Sequence, residues 1–196
     1  MLKTVFLALL CIVKPVASWV NFFDNLSDAA ISLTDQKVTY DPTYVTIPYP
    51  NGDVAPDKGV CTDVIIRAYR KVGIDLQKEV HQDMVAHFDL YPNIWGLKKA
   101  DANIDHRRVQ NLMVFFERHG ARLPMTLNAA DYKPGDIVTW DLGHGIVHIG
   151  VMVDRLSTDD KKRRMMVHNM GGGQVLADCL FNFHITGHYR YGKVKG

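Results

Sequence analysis

The chain has 196 residues, 47% hydrophobic and 22% charged, which is ordinary for one globular domain with its own core. Its formal charge of +2 lacks the basic footprint of a nucleic-acid binder, so no nucleic-acid partner is expected. No internal repeat or low-complexity tract interrupts it.

Met1-Leu2-Lys3 is a short basic start, followed by the apolar run TVFLALLCIV, about the length of a signal h-region. Val16-Ala17-Ser18 offers small residues to a signal peptidase. A signal peptide over residues 1–18 is therefore expected, with 19–196 as a single exported domain in the periplasm or cell envelope. The run is shorter than the ~20 apolar residues a bilayer span requires, so no stable membrane insertion is expected after cleavage. Lys14, close to its end, leaves an uncleaved anchor as the alternative. Cys11 follows Leu10, unlike the cysteine of a lipoprotein signal. Cleavage removes Lys3 and Lys14 and no acid, leaving 21 basic against 21 acidic residues. It also leaves two cysteines, Cys61 and Cys179, in a compartment that permits pairing. A bridge between them is the minor expectation, because the context of Cys61 fits a reactive thiol better; Cys179 in ADCLFNF reads as a small buried hydrophobe.

Residues 20–36 are expected to form a helix with Phe22, Phe23, Leu26, Ala29, Ala30 and Leu33 on its apolar side. Residues 38–60, rich in Tyr, Pro, Gly and Asp, predict loops and short extended pieces. Cys61 then opens GVCTDVIIRAYRKVGIDL, where Val64, Ile65, Ala68, Tyr69 and Val72 recur at helical spacing and Gly73 supplies a stop. A second helix is expected over Gln77 to Phe88. The irregular stretch LYPNIWGLKKADANIDHRRVQNL comes next, long enough to be functional or lid-like. Val109 to His119 predicts a helix with Leu112, Met113 and Phe116 inward and Gly120 as its stop. From Pro134 the period becomes that of strands, over 136–140, 146–153, 164–168 and 184–191. Lys161-Lys162-Arg163-Arg164 reads as a solvated hairpin tip. Helices first and strands afterwards predict an α+β domain, its N-terminal helices packed on an antiparallel sheet.

Three residues could carry chemistry together. A cysteine in a helix's first turn sits at the positive end of the macrodipole, which favours thiolate. An imidazole reaching that sulfur would make an activated nucleophile and its base. His148 lies on a strand, sharing a face with Ile146 and Gly150. His168 ends the run MMVHN just before three glycines. In such a set His148 would take the thiol proton, giving a thiolate–imidazolium pair, and His168 or its neighbour Asn169 would orient the base. Asp105-His106-Arg107-Arg108 is a polar cluster before a helix. Asp105 could cap that helix, the arginines could hold buried carboxylates, or Arg107 or Arg108 could clamp a substrate carboxylate. Asp63 would stabilise the helix start, yet would oppose thiolate formation if it faced the sulfur. His144, in GHG, is a weaker base candidate. Zinc-ligand spacing such as C-x-x-C is missing, so neither metal nor cofactor is expected.

Taken together, the helix-opening cysteine, PGD with an apolar strand, HIG, and VHN before glycines resemble the NlpC-type cell-wall cysteine peptidases, papain-like enzymes of bacterial envelopes. The resemblance implies Cys61 as nucleophile, His148 as base and His168 as orienter. It also implies Tyr49, of Tyr49-Pro-Asn-Gly52, as a hydroxyl that helps hold the oxyanion beside the Cys61 N–H. The family's Asp before the cysteine and Ser-Gly after it are Val60 and Thr62-Asp63 here. GVCTDVIIRAYRKVGIDL, WGLKKADANIDHRRVQNL, YKPGDIVTWDL and ITGHYRYG are similar, more specifically, to the YijF-type family of bacterial envelope proteins, over about residues 35–192. The two resemblances imply a peptidoglycan hydrolase cutting an amide bond, as stem-peptide endopeptidase or N-acetylmuramoyl-L-alanine amidase. Its partner would be peptidoglycan or its peptide fragments, with Tyr49, Asp105, His106, Arg107 and Arg108 around the substrate. A non-catalytic cell-wall peptide-binding module and a thioester-based acyltransferase are the alternatives.

Overall fold

A computed structural model describes residues 17–192, so the leader expected over 1–18 falls, but for its last two residues, outside the described residues. The chain begins with α1 (Ala17–Ser32), whose apolar side continues into a short 3-10 turn, Leu33–Asp35. Two-residue strands β1 (Thr39–Tyr40) and β2 (Lys58–Gly59) pair in parallel, Tyr40 opposite Gly59. Three helices come after them, α2 (Cys61–Lys71), α3 (Leu76–Ala86) and α4 (Val109–Arg118). Gly73 and Gly120 stop α2 and α4 with φ of 85° and 66°, a conformation that costs glycine nothing. Among the described residues no helix is long and apolar enough to cross a membrane.

The second half builds β3 (Ile137–Asp141), β4 (Val147–Leu156), β5 (Arg164–His168), β6 (Val175–Ala177) and β7 (His184–Tyr189). They form one antiparallel sheet in the order β6-β5-β4-β3-β7. The α+β class read from the sequence is therefore the class observed. β6 is not among the strands the sequence predicts: three residues are too few for alternation to show. In α4 the fully inward residues are Leu112, Phe115 and Phe116, while Met113 is half-buried. That stripe is the i, i+3, i+4 face of the helix.

Strand alternation sorts the sheet into two cores. Ile149, Val151, Val153, Val167, Ile137 and Tyr189 face the helices and meet Leu26, Val64, Ile65, Tyr69 and Phe116. Val138, Trp140, Met152 and Met166 face the other way, covered by Tyr132, Cys179 and Leu180. Cys61 packs with the helix-side core and Cys179 with the other, and both are free thiols.

The central helix α2 is buried along Cys61 to Tyr69, polar residues included. Burying such groups is tolerable only when each is bonded, and each is. Thr62 Oγ1 donates to the Arg107 carbonyl at 3.1 Å, Asp63 takes an Arg107 fork, Arg67 donates to both Asp53 oxygens at 3.0 and 3.2 Å, and Tyr69 donates to the Tyr191 carbonyl at 2.8 Å.

Candidate active site

Cys61 is the first residue of α2, after Val60 in extended conformation. Asp63, third in the helix, accepts from the Val60 N–H at 2.7 Å, while its own N–H donates to the Val60 carbonyl at 3.1 Å. This reciprocal cap satisfies donors that a helix start leaves open. The cysteine is only 6% exposed. Burial pushes its thiol up to about 11, with the Asp63 carboxylate adding to the rise. Backbone N–H groups of Ile149, Thr62 and Cys61 itself turn toward the sulfur and pull the other way. Ile149 is the residue after His148, so the helix tip meets the strand backbone that carries the expected base.

His148 stands opposite Trp140 in the β3–β4 register and stacks on its ring at 5.6 Å between centroids. Its Nε2 lies 3.1 Å from His168 Nδ1, the rings edge-on. Gly150 makes this approach fit: a Cβ there would stand 3.3 Å from both the His168 Cβ and the Trp140 ring. Burial lowers His148 to about 3, with His168 adding to the fall, and burial also lowers His168. Asn169, the other candidate orienter, donates instead to the Gly59 carbonyl at 3.3 Å and accepts from the Gly171 N–H. It ties the strand end to the loop before Cys61.

Three expectations change. The resting thiolate–imidazolium pair is opposed here, because burial drives the thiol up and the imidazole down, and both shifts favour the neutral pair. No hydrogen bond joins Cys61 Sγ to His148 among the described residues; the two are linked through Ile149.

Tyr49 is the second correction. Its ring packs edge-on against His81 at 5.1 Å, and the charge it feels is Asp75. The tyrosine whose hydroxyl feels Cys61 is Tyr40, which burial, Cys61 and Asp63 raise and Arg107 lowers. The parallel β1–β2 pairing explains this, since it sets Tyr40 beside Gly59, two residues before the cysteine. Tyr40 is also 39% exposed, so it borders solvent at the site. Nothing local in KVTYDPTYVTIPY distinguishes Tyr40 from Tyr44 or Tyr49; only the strand pairing does.

The Asp105–Arg108 cluster is mostly internal. Asp105 is fully buried, accepting from His81 Nδ1 at 2.9 Å and the Asp101 N–H at 2.8 Å. His106 is buried, and that burial pushes it down to about 3. Arg107 forks onto Asp63, Nε to Oδ1 and Nη2 to Oδ2, each at 3.0 Å. Half-buried Arg108 lies 4.0 Å over the Trp95 ring. A substrate clamp by Asp105 or Arg107 is thus replaced by internal bonds, the carboxylate held by Arg107 being the chain's own, while His106 is buried away from solvent. His144, at the exposed β3–β4 turn with φ of 54°, lies outside the histidine pair.

A model of the family described as "Domain of unknown function (DUF1287)" matches residues 27–191. The uncharacterized protein YijF of Escherichia coli (strain K12) is 47% identical over 166 residues, 85% of this chain and 80% of its own length. Two solved structures are remote likenesses. NlpC1 from Trichomonas vaginalis has a TM-score of 0.45 at 15% identity, covering 86% of this chain, which spans 44% of that one. An N-acetylmuramoyl-L-alanine amidase from Bacteroides uniformis ATCC 8492 has a TM-score of 0.49 at 11% identity, over 88% of this chain and 100% of that one. The family match runs from within α1 to just past β7 and takes in Tyr40, Cys61, His148 and His168, so the chain belongs to the DUF1287 family, of which YijF is a close relative.

Proposed function

We propose that this protein is an exported cysteine hydrolase that cleaves an amide bond of peptidoglycan, as endopeptidase on the stem peptide or as N-acetylmuramoyl-L-alanine amidase. The observation that carries the reading is the 3.1 Å bond between His148 and His168 on the strand whose next N–H, that of Ile149, turns to the helix-tip Cys61. A nucleophile, a base and an orienter in this order are what acyl transfer needs. The papain-like resemblance of the motifs supports the same roles. Export rests on the apolar leader, and the peptidoglycan partner on the family resemblance.

The chemistry rests on that pairing. The reading requires the tautomer in which His148 Nε2–H donates to His168 Nδ1, leaving His148 Nδ1 as acceptor for the thiol proton. Among the described residues no such bond joins the sulfur to His148; catalytic hydrogen bonds can be completed only with substrate in place. The sulfur then attacks the amide carbonyl carbon. The oxyanion is met by the Cys61 N–H and the Tyr40 hydroxyl, the role expected of Tyr49. Imidazolium returns its proton to the leaving amine as the C–N bond breaks. Water, losing a proton to His148, cleaves the thioester to a carboxylate and restores the thiol.

The test is mass analysis of muropeptides from purified sacculi incubated with the full chain, wild type beside Cys61→Ala. New fragments with the wild type alone support the hydrolase, and their masses name the bond. No release by either protein, with both still pelleting with sacculi, would sink the catalytic reading in favour of a binding module.

A further inference from the structure

Arg107 is buried at the point where three segments meet around the nucleophile. Its fork holds Asp63, whose Oδ2 also caps Val60, the residue before Cys61. Its Nη1 donates to the Thr43 carbonyl at 3.3 Å and its Nη2 to the Asp41 carbonyl at 3.5 Å, on the segment directly after Tyr40. Its own carbonyl accepts from Thr62 Oγ1, next to the cysteine. We propose that Arg107, acting through Asp63, is a positioning residue for the reaction, fixing Cys61 and Tyr40 relative to each other and cancelling the carboxylate charge beside the sulfur. This rests on the cysteine-nucleophile reading above.

The charge balance shows why the pair is more than a staple. Asp63 opposes ionisation of both Cys61 and Tyr40, and Arg107 favours that of Tyr40. The other titratable group that feels the sulfur is Tyr40 from β1; His148 and His168 pair with each other on the Trp140 side of the sheet. Asp63 is therefore the charge set against the thiol, and Arg107 the charge paired with it. A bidentate guanidinium–carboxylate pair also has a fixed plane, which a lysine cannot reproduce. The irregular stretch before α4 thereby gains a role: it delivers Arg107 to the helix start without lining the substrate.

The test is the rate of Cys61 alkylation by iodoacetamide in the full chain, read on the Cys61 peptide by mass spectrometry between pH 7 and 9. Removing one partner uncovers the other's charge, and a charge at this range shifts a thiol by about one pH unit or more. Asp63→Asn should speed labelling about tenfold, and Arg107→Gln should slow it about tenfold. The double variant, with two neutral hydrogen-bonding side chains, should return to near the wild-type rate. Arg107→Lys should keep the labelling rate yet lower kcat on sacculi, because charge persists while the fork is lost. A purely structural role would lower the melting temperature of every variant without opposite effects on the rate. Labelling that moves in the same direction in Asp63→Asn and Arg107→Gln, or in neither, would overturn the proposal. If Arg107→Gln does not fold, Asp63→Asn and the double variant decide between the same outcomes. Sacculi left intact while labelling rates move as expected would retire the peptidoglycan reading and leave the positioning role standing.

Discussion

Acid should destabilise this protein well above the range where carboxylates titrate, and His148 sets the size of the effect. Burial holds its imidazole at about 3 in the folded chain, against 6.5 for the free side chain. Above pH 6.5 neither state binds the proton and the residue contributes nothing to the slope. Below it the unfolded chain takes up a proton that the folded chain refuses, so stability falls with pH until the folded value is reached. Between pH 6.5 and 5 that is 1.5 units at 1.36 kcal/mol each, about 2 kcal/mol. Buried His106, also near 3, contributes a similar amount, and His168 acts in the same direction. Together the first two approach about 4 kcal/mol, a large part of the ~5–15 kcal/mol that holds a domain together. Urea unfolding at pH 7 and pH 5 measures it, with His148→Gln as the comparison. The variant starts from its own stability at pH 7, but its loss on acidification should be smaller than wild type's by about 2 kcal/mol. Equal losses in the two proteins would refute the burial account of His148.

Gly150→Ala should separate the histidines, since its Cβ would press on the His168 Cβ and Trp140 at 3.3 Å; we expect about 1–3 kcal/mol lost in urea unfolding and turnover reduced more than tenfold. Tyr40→Phe should lower kcat about 10²-fold by removing an oxyanion donor, while Tyr49→Phe leaves it near wild type; the reverse order would return the oxyanion role to Tyr49. Phe116→Ala, in the aromatic cluster with Tyr69, Tyr189 and Tyr191, should cost about 3–5 kcal/mol in the same unfolding assay.

Legibility in the sequence tracks the range of the interaction. Elements defined by their own periodicity are readable: α2 begins at Cys61 as expected, and β5 occupies the expected residues 164–168. The His148–His168 pairing is reached only through the family resemblance, since the two strand-like runs do not fix their own register. What the sequence conceals depends on long-range placement. Tyr40 reaches the cysteine through a two-residue parallel pair too short to carry a pattern. Arg107 resembles a substrate clamp because its partner, Asp63, lies 44 residues away. Asp105 and His106 look available because a run of charges reads as surface, whereas both are buried.

The resting state of Cys61 shows how magnitude, and not position, decides reactivity. A helix N-terminus stabilises a nearby anion by ~0.3–2 kcal/mol. Burial with the Asp63 charge moves the thiol from 9 to about 11 despite three favourable N–H groups, which is about 2.7 kcal/mol against ionisation. The dipole therefore loses, and the proton stays on sulfur. In the proposed reaction, ionisation is coupled to occupancy, when a substrate carbonyl offers the developing charge a second place to go and the Tyr40 hydroxyl a partner. The same burial leaves little thiolate for oxidants, which react with that form. Such a cysteine suits an oxidising compartment better than a permanently ionised one. On the proposed mechanism its nucleophilicity depends on groups engaged only when substrate is bound, which would place the control of that chemistry in Tyr40, Arg107 and the histidine pair, not in the helix tip alone.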